Sequence, residues 1–136
     1  MTIDDLVINK SSQIRRCIER IRTEYNADQQ NLFGNLTKQD SIILNLQRAV
    51  EMSVDLAMYL VRKTHLGVPQ SSREAFELLH RAGLIKEGTL DRMKRMVGFR
   101  NIAVHDYTRL DLTIVQAVIE SHLQDFESYL DEIAHL

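Results

Sequence analysis

Arg100-Asn101-Ile102-Ala103-Val104-His105-Asp106-Tyr107 sets a guanidinium, an amide, an imidazole, a carboxylate and a phenol within eight residues. Arginine offers a planar fork that can grip two phosphate oxygens, and histidine exchanges a proton near neutral pH. That pair suits cleavage of a phosphodiester by general acid–base work on a ribose 2′-hydroxyl. A helix turns about 100° per residue, so Asn101 and His105 share a face, while Arg100 lies roughly 140° round the axis from His105. The two converge if Arg100 wraps round the helix or if the helix ends near His105. Asp106 and Thr108 are weak helix formers and Asp111 looks like a new cap, so an end there is expected. His105 then stands at a helix C-terminus, where the macrodipole favours the imidazolium.

The rest of the chain reads as helical scaffold for this stretch. One Pro and five Gly in 136 residues favour long helices with short connections, in a single domain over 1–136. Ile14, Ile18, Ile21 and Tyr25 recur at helical spacing and predict a first helix over 2–26, with its arginines on a solvated face. Gly34 and Asn35 mark 27–36 as a loop. Thr37, with Asp40 three residues on, is the expected cap of a second, central helix running to about His65. Ser71-x-x-Glu74 is a capping box and Gly83 a helix-ending glycine, which bound a third helix over 72–82. A fourth helix, starting near Thr89 after a connection over 84–88, delivers the motif. A fifth spans about 112–134. The expected class is all-α, a bundle of about five helices.

On the central helix Gln47, Glu51 and Asp55 form a polar stripe at i, i+4, i+8. It is either a solvated face or the source of a carboxylate, Glu51 or Asp55, that orients Arg100 or His105. Charge is uneven: residues 81–109 carry seven basic and three acidic side chains, and residues 110–136 carry six acidic and none basic. The net charge of −2 argues against a passive nucleic-acid coat. It leaves room for a local basic patch of Arg92, Lys94, Arg95, Arg100 and Arg109 beside the motif, or for ordinary solvated charge. Cys17, the single cysteine, excludes an internal disulfide, fits a reducing cytoplasm and reads as packing. No signal peptide and no apolar run of membrane length are seen. The other histidines have no paired ligand spacing, so no metal site and no cofactor are expected. Glycine-rich phosphate loops and G-x-S-x-G elbows are absent as well.

Read alone, His105 fits a helix-end histidine as well as a proton carrier, and Tyr107 fits a half-buried anchor. The longer string Arg100-Asn101-x-Ala103-Val104-His105-Asp106-Tyr107 resembles the signature of the HEPN superfamily and, within it, the R-x-x-x-x-H-x-Y motif of HepT-type toxins. The segments Leu44-Asn45-Leu46-Gln47-Arg48, Val68-Pro69-Gln70-Ser71-Ser72-Arg73 and His122-Leu123-Gln124-Asp125-Phe126 also look like HepT segments. The resemblance therefore covers nearly the whole chain.

It implies a HEPN-type helical bundle acting as a homodimer, and a metal-independent endoribonuclease toxin paired with a minimal nucleotidyltransferase (MNT) antitoxin. It implies Arg100 for phosphate stabilisation, His105 for proton transfer, Asn101 for positioning, and a 2′,3′-cyclic phosphate product. It further implies that Tyr107 accepts AMP from the antitoxin, and that an attached AMP would obstruct the site. One chain has one motif histidine, whereas cleavage needs a base and an acid, so a composite site across a two-fold axis is reasonable. The alternative is a non-catalytic helical HEPN dimer that binds a partner protein or a nucleotide. The antitoxin half is disfavoured, because a G-S-x-x-x-G-x-x-x-x-D-x-D type string is absent.

Overall fold

The computed structural model describes residues 4–105 and 111–134, the side chains of 102–105 excepted. Among the described residues seven helices follow one another: α1 (Asp5–Tyr25), α2 (Gln29–Phe33), α3 (Leu36–Lys63), α4 (Ser72–Arg81), α5 (Glu87–His105), α6 (Leu112–Ser121) and α7 (Leu123–Ile133). No strand occurs among the described residues. The 28-residue α3 is the axis, packed against α1, α2, α4 and α5, while α7 closes the far side against α5 and α1. Its sequence explains this place. Ile42, Ile43, Leu46, Val50, Leu56 and Val61 are buried and wrap most of the helix in apolar surface. A helix apolar on so wide an arc must be covered from several sides. Phe76 of α4 and Tyr129 of α7 meet edge to face at 5.5 Å between centroids, and the buried Tyr129 hydroxyl donates to the Ser53 carbonyl of α3. One contiguous core therefore joins α3, α4 and α7.

The bundle is all-α as expected, with two more helices than the five read from the sequence. The stretch 27–36 holds α2, which Asp28 caps by accepting from the Gln30 N–H at 3.0 Å, and which buries Leu32. Five residues are too few to display a helical period, so nothing in the hydrophobic pattern reports it. The cap of α3 is Asn35, accepting from the Lys38 N–H at 3.1 Å, and Thr37 lies inside the helix. Asparagine is at least as good a cap as threonine, and the earlier start lets Gln39 bond the Leu32 carbonyl across the α2–α3 corner. The expected fifth helix breaks at His122, whose Nδ1 meets Asp125 Oδ2 at 3.1 Å. The break lets Val115, Val118 and Ile119 bury on α6 and Phe126, Tyr129 and Leu130 on α7.

α4 begins as expected, with Ser71 accepting from the Glu74 N–H at 3.1 Å. It ends in a Schellman motif about Gly83 (φ 77°), with Gly83 N–H to the His80 carbonyl and Leu84 N–H to that of Leu79. α5 starts two residues earlier than Thr89. The Glu132 carboxylate of α7 accepts from the Lys86 N–H at 2.6 Å and from the Thr89 hydroxyl, which pins the head of α5. The arginines of α1 are exposed, and Arg15, Arg20 and Arg22 pair with Asp131, Glu24 and Glu127. Cys17 is buried, and burial raises its thiol pKa, as suits a packing residue.

Candidate active site

α5 presents the motif because its apolar residues face inward just upstream. Met93, Met96, Val97 and Phe99 are buried, which fixes the rotation of the helix and sends the next residue, Arg100, back along the core. The Arg100 side chain is only 19% exposed, against 45% for Glu51. Its Nη1 donates to Glu51 Oε1 of α3 at 2.7 Å, and its Nη2 faces Ser72 Oγ of α4 at 3.4 Å. Its Nε is buried without a hydrogen-bond partner among the described residues. Of five N–H donors, two are directed at protein side chains, and one is left on each terminal nitrogen. Three helices thus converge on one guanidinium, and α5 is held at its head by Glu132 and near its end by Glu51.

Asn101 follows, partly buried, and His105 is the last described residue of α5. By helix register Asn101 and His105 lie on one face. The side chain of His105, and Asp106, Tyr107 and Arg109 entirely, lie outside the described residues. Of the two carboxylates read from the polar stripe, Glu51 meets Arg100, while Asp55, one turn on, is exposed. Asp55 lies only about 40° round α3 from Glu51 but roughly 6 Å further along its axis. In the basic patch, Arg92 pairs with Asp125 at 3.7 Å and Lys94 with Glu77 at 3.1 Å, so these two charges are largely answered within the bundle. Arg95 stays exposed.

Ser72 is not legible as a site residue, because nothing local marks it apart from its place just inside the α4 cap. Among the described residues no group of three or more His, Cys, Asp or Glu side chains could hold a metal ion. Nor is any helix there long and apolar enough to cross a membrane.

The model of the family described as Ribonuclease HepT-like matches residues 14–133. The chain belongs to this family. Among the relatives of this HepT-like chain is the mRNA nuclease HepT of Shewanella oneidensis, 48% identical over 131 residues, 96% of this chain and 98% of that protein. Its fold is similar to that of a solved tri-AMPylated Shewanella oneidensis HEPN toxin in complex with MNT antitoxin. There the TM-score is 0.92 at 47% identity, with 98% of this chain and 99% of that one covered. A crystal structure described as the toxin–antitoxin with AMP-PNP matches with a TM-score of 0.87 at 47% identity, over 96% and 98% of the two chains. The HepT-like family and HEPN helical fold implied by the motif are thus those found.

Proposed function

We propose that this chain is an endoribonuclease toxin whose site is built on Arg100, Asn101 and His105, and that an MNT antitoxin neutralises it by adding AMP to Tyr107. The observation that carries the reading is the anchoring of Arg100. A guanidinium that is four-fifths buried and held by Glu51 and Ser72 has little rotamer entropy left to lose when it meets a phosphate. Its two remaining terminal N–H groups are suited to phosphate oxygens. The Shewanella relative is named an mRNA nuclease, and the matched toxin structure is described as tri-AMPylated and bound to MNT antitoxin. Both descriptions support the assignment.

The chemistry follows from the residue types. A base takes the proton of the 2′-hydroxyl, whose oxygen attacks the adjacent phosphorus. The bond to the leaving 5′-oxygen breaks as that oxygen receives a proton from an acid, and a 2′,3′-cyclic phosphate remains. Arg100 stabilises the charge that builds on the phosphorane oxygens, and Asn101 positions the nucleotide. One chain contributes one motif histidine, so base and acid come from two His105 residues across a homodimer axis. No step in this scheme calls for a metal ion. The setting proposed for this reaction is the cytoplasm, which holds the RNA substrate. Tyr107 lies two positions past His105 in the chain, so AMP attached to it adds a phosphodiester and an adenine beside the motif, and that phosphate competes for Arg100.

The test uses purified wild-type protein and His105→Ala with single-stranded RNA in excess chelator. Cleavage by the wild type alone, ending in cyclic phosphate, is expected. Equal cleavage by both, or none by the wild type, rejects the reading in favour of a non-catalytic helical dimer.

A further inference from the structure

We infer that Arg73 is a second phosphate-binding arginine of this site, seated on Gly98 so that its guanidinium lies on the same face of α5 as Asn101 and His105. The inference rests on the ribonuclease reading above and adds a substrate contact to it. Gly98 lies well inside α5, where glycine is a poorer helix former than alanine, and its φ is not in the left-handed region that would require glycine. What it provides is space. A Cβ built at Gly98 would stand 2.9 Å from Arg73 Nη2, closer than a carbon and a guanidinium nitrogen can approach. The missing side chain of α5 is thus where the Arg73 guanidinium rests.

Arg73 is itself placed against local preference. It is the second residue of α4, and a cation in the first turn of a helix stands at the unfavourable end of the macrodipole. It is exposed and pairs with no carboxylate among the described residues, whereas Arg81, Arg92 and Arg100 each face one. Two choices that cost helix stability therefore meet at one contact, the pattern expected where a site, and not the fold, sets the residue.

Register on α5 gives the contact its meaning. Gly98, Asn101 and His105 stand at i, i+3 and i+7, which places them within about 60° of one another on one face. Along the axis, Gly98 is roughly 4–5 Å from Asn101 and about 10 Å from His105. Position 100 stands about 160° round α5 from Gly98, whereas Arg73 rests on the face that carries positions 101 and 105. Its neighbour Ser72 accepts from Arg100, so the start of α4 carries one guanidinium and contacts the other. A planar fork that meets no carboxylate among the described residues is suited, at that spacing, to the phosphate next along the strand from the scissile one.

The experiment compares wild type, Arg73→Ala, Arg73→Lys, Gly98→Ala and the Gly98→Ala/Arg73→Ala double variant of the full chain. It reads kcat and KM on single-stranded RNA across a salt series, together with thermal melting. Arg73→Ala should raise KM about tenfold with melting unchanged, as expected for one lost charge-assisted contact. The slope of log(kcat/KM) against log[salt] should flatten by about 0.7, the value for one phosphate contact on a single strand. Arg73→Lys should recover part of the loss. Gly98→Ala should melt no lower than wild type, because only the tip of a flexible side chain must move, and should still lose activity. The double variant should be no worse than Arg73→Ala alone. Wild-type KM and salt slope in Arg73→Ala, or full activity in Gly98→Ala, overturn the inference while leaving an active ribonuclease. Loss of activity with an unchanged salt slope overturns it too, because the role would then be structural. A wild type that cuts no RNA removes the ribonuclease reading and this inference with it.

Discussion

Replacing Glu51 by Ala should loosen Arg100 without touching the motif. The pair spans 2.7 Å, with Arg100 19% and Glu51 45% exposed. It thus lies between an exposed ion pair, worth at most about 1 kcal/mol, and a fully buried one, whose breakage costs roughly 3–5 kcal/mol. Discounted for the solvent on Glu51, the loss should be about 1–2 kcal/mol. For 136 residues at about 2.1 cal/mol/K each, that lowers Tm by roughly 3–7 °C. Among the described residues, the 3.4 Å contact to Ser72 alone would then direct the guanidinium, and its buried Nε would still lack a partner there. A misplacement of this kind costs catalysis on the order of 10–100-fold in kcat/KM. Calorimetry and cleavage kinetics on Glu51→Ala, Arg100→Ala and the double variant form a cycle that isolates the interaction. A coupling energy below about 0.3 kcal/mol, or wild-type cleavage by Glu51→Ala, would refute the idea that this carboxylate holds the arginine. Glu51→Gln, which keeps an acceptor of the same length, should fall between the two.

Arg100→Lys should lose activity by roughly 100-fold while melting close to wild type, since an ammonium keeps the charge but cannot face Glu51, Ser72 and a phosphate at once; cleavage kinetics and a melt check this. Asn35→Ala should cost about 1 kcal/mol, or roughly 3–4 °C in Tm, while Thr37→Ala stays within about 1 °C, because Asn35 and not Thr37 caps α3. A Tyr107→Phe toxin co-expressed with its MNT antitoxin should escape neutralisation and carry no AMP on that peptide by mass spectrometry. Growth rescue as complete as for wild type would show that binding alone silences it.

The relation of sequence to structure differs from element to element. Wherever a helix is long enough to repeat its apolar stripe, as in α1, α3 and α4, pattern and caps placed it within a few residues, because burial periodicity is a property of the chain itself. The motif was legible for the same reason: Arg100, Asn101, His105 and Tyr107 lie in one local string whose residue types and spacing carry chemical meaning. The five residues of α2 lacked room for a period, and at the break Asp125 meets both His122 and Arg92 of α5, the second a contact across elements. The choice of Glu51 over Asp55 depended on how α3 and α5 cross, which no spacing within α3 reports. Arg73 and Gly98 lie 25 positions apart, and each looks like an ordinary residue in its own helix. Only the packing of α4 on α5 brings the guanidinium onto the glycine, because a contact between helices is decided by the shapes of both faces at once.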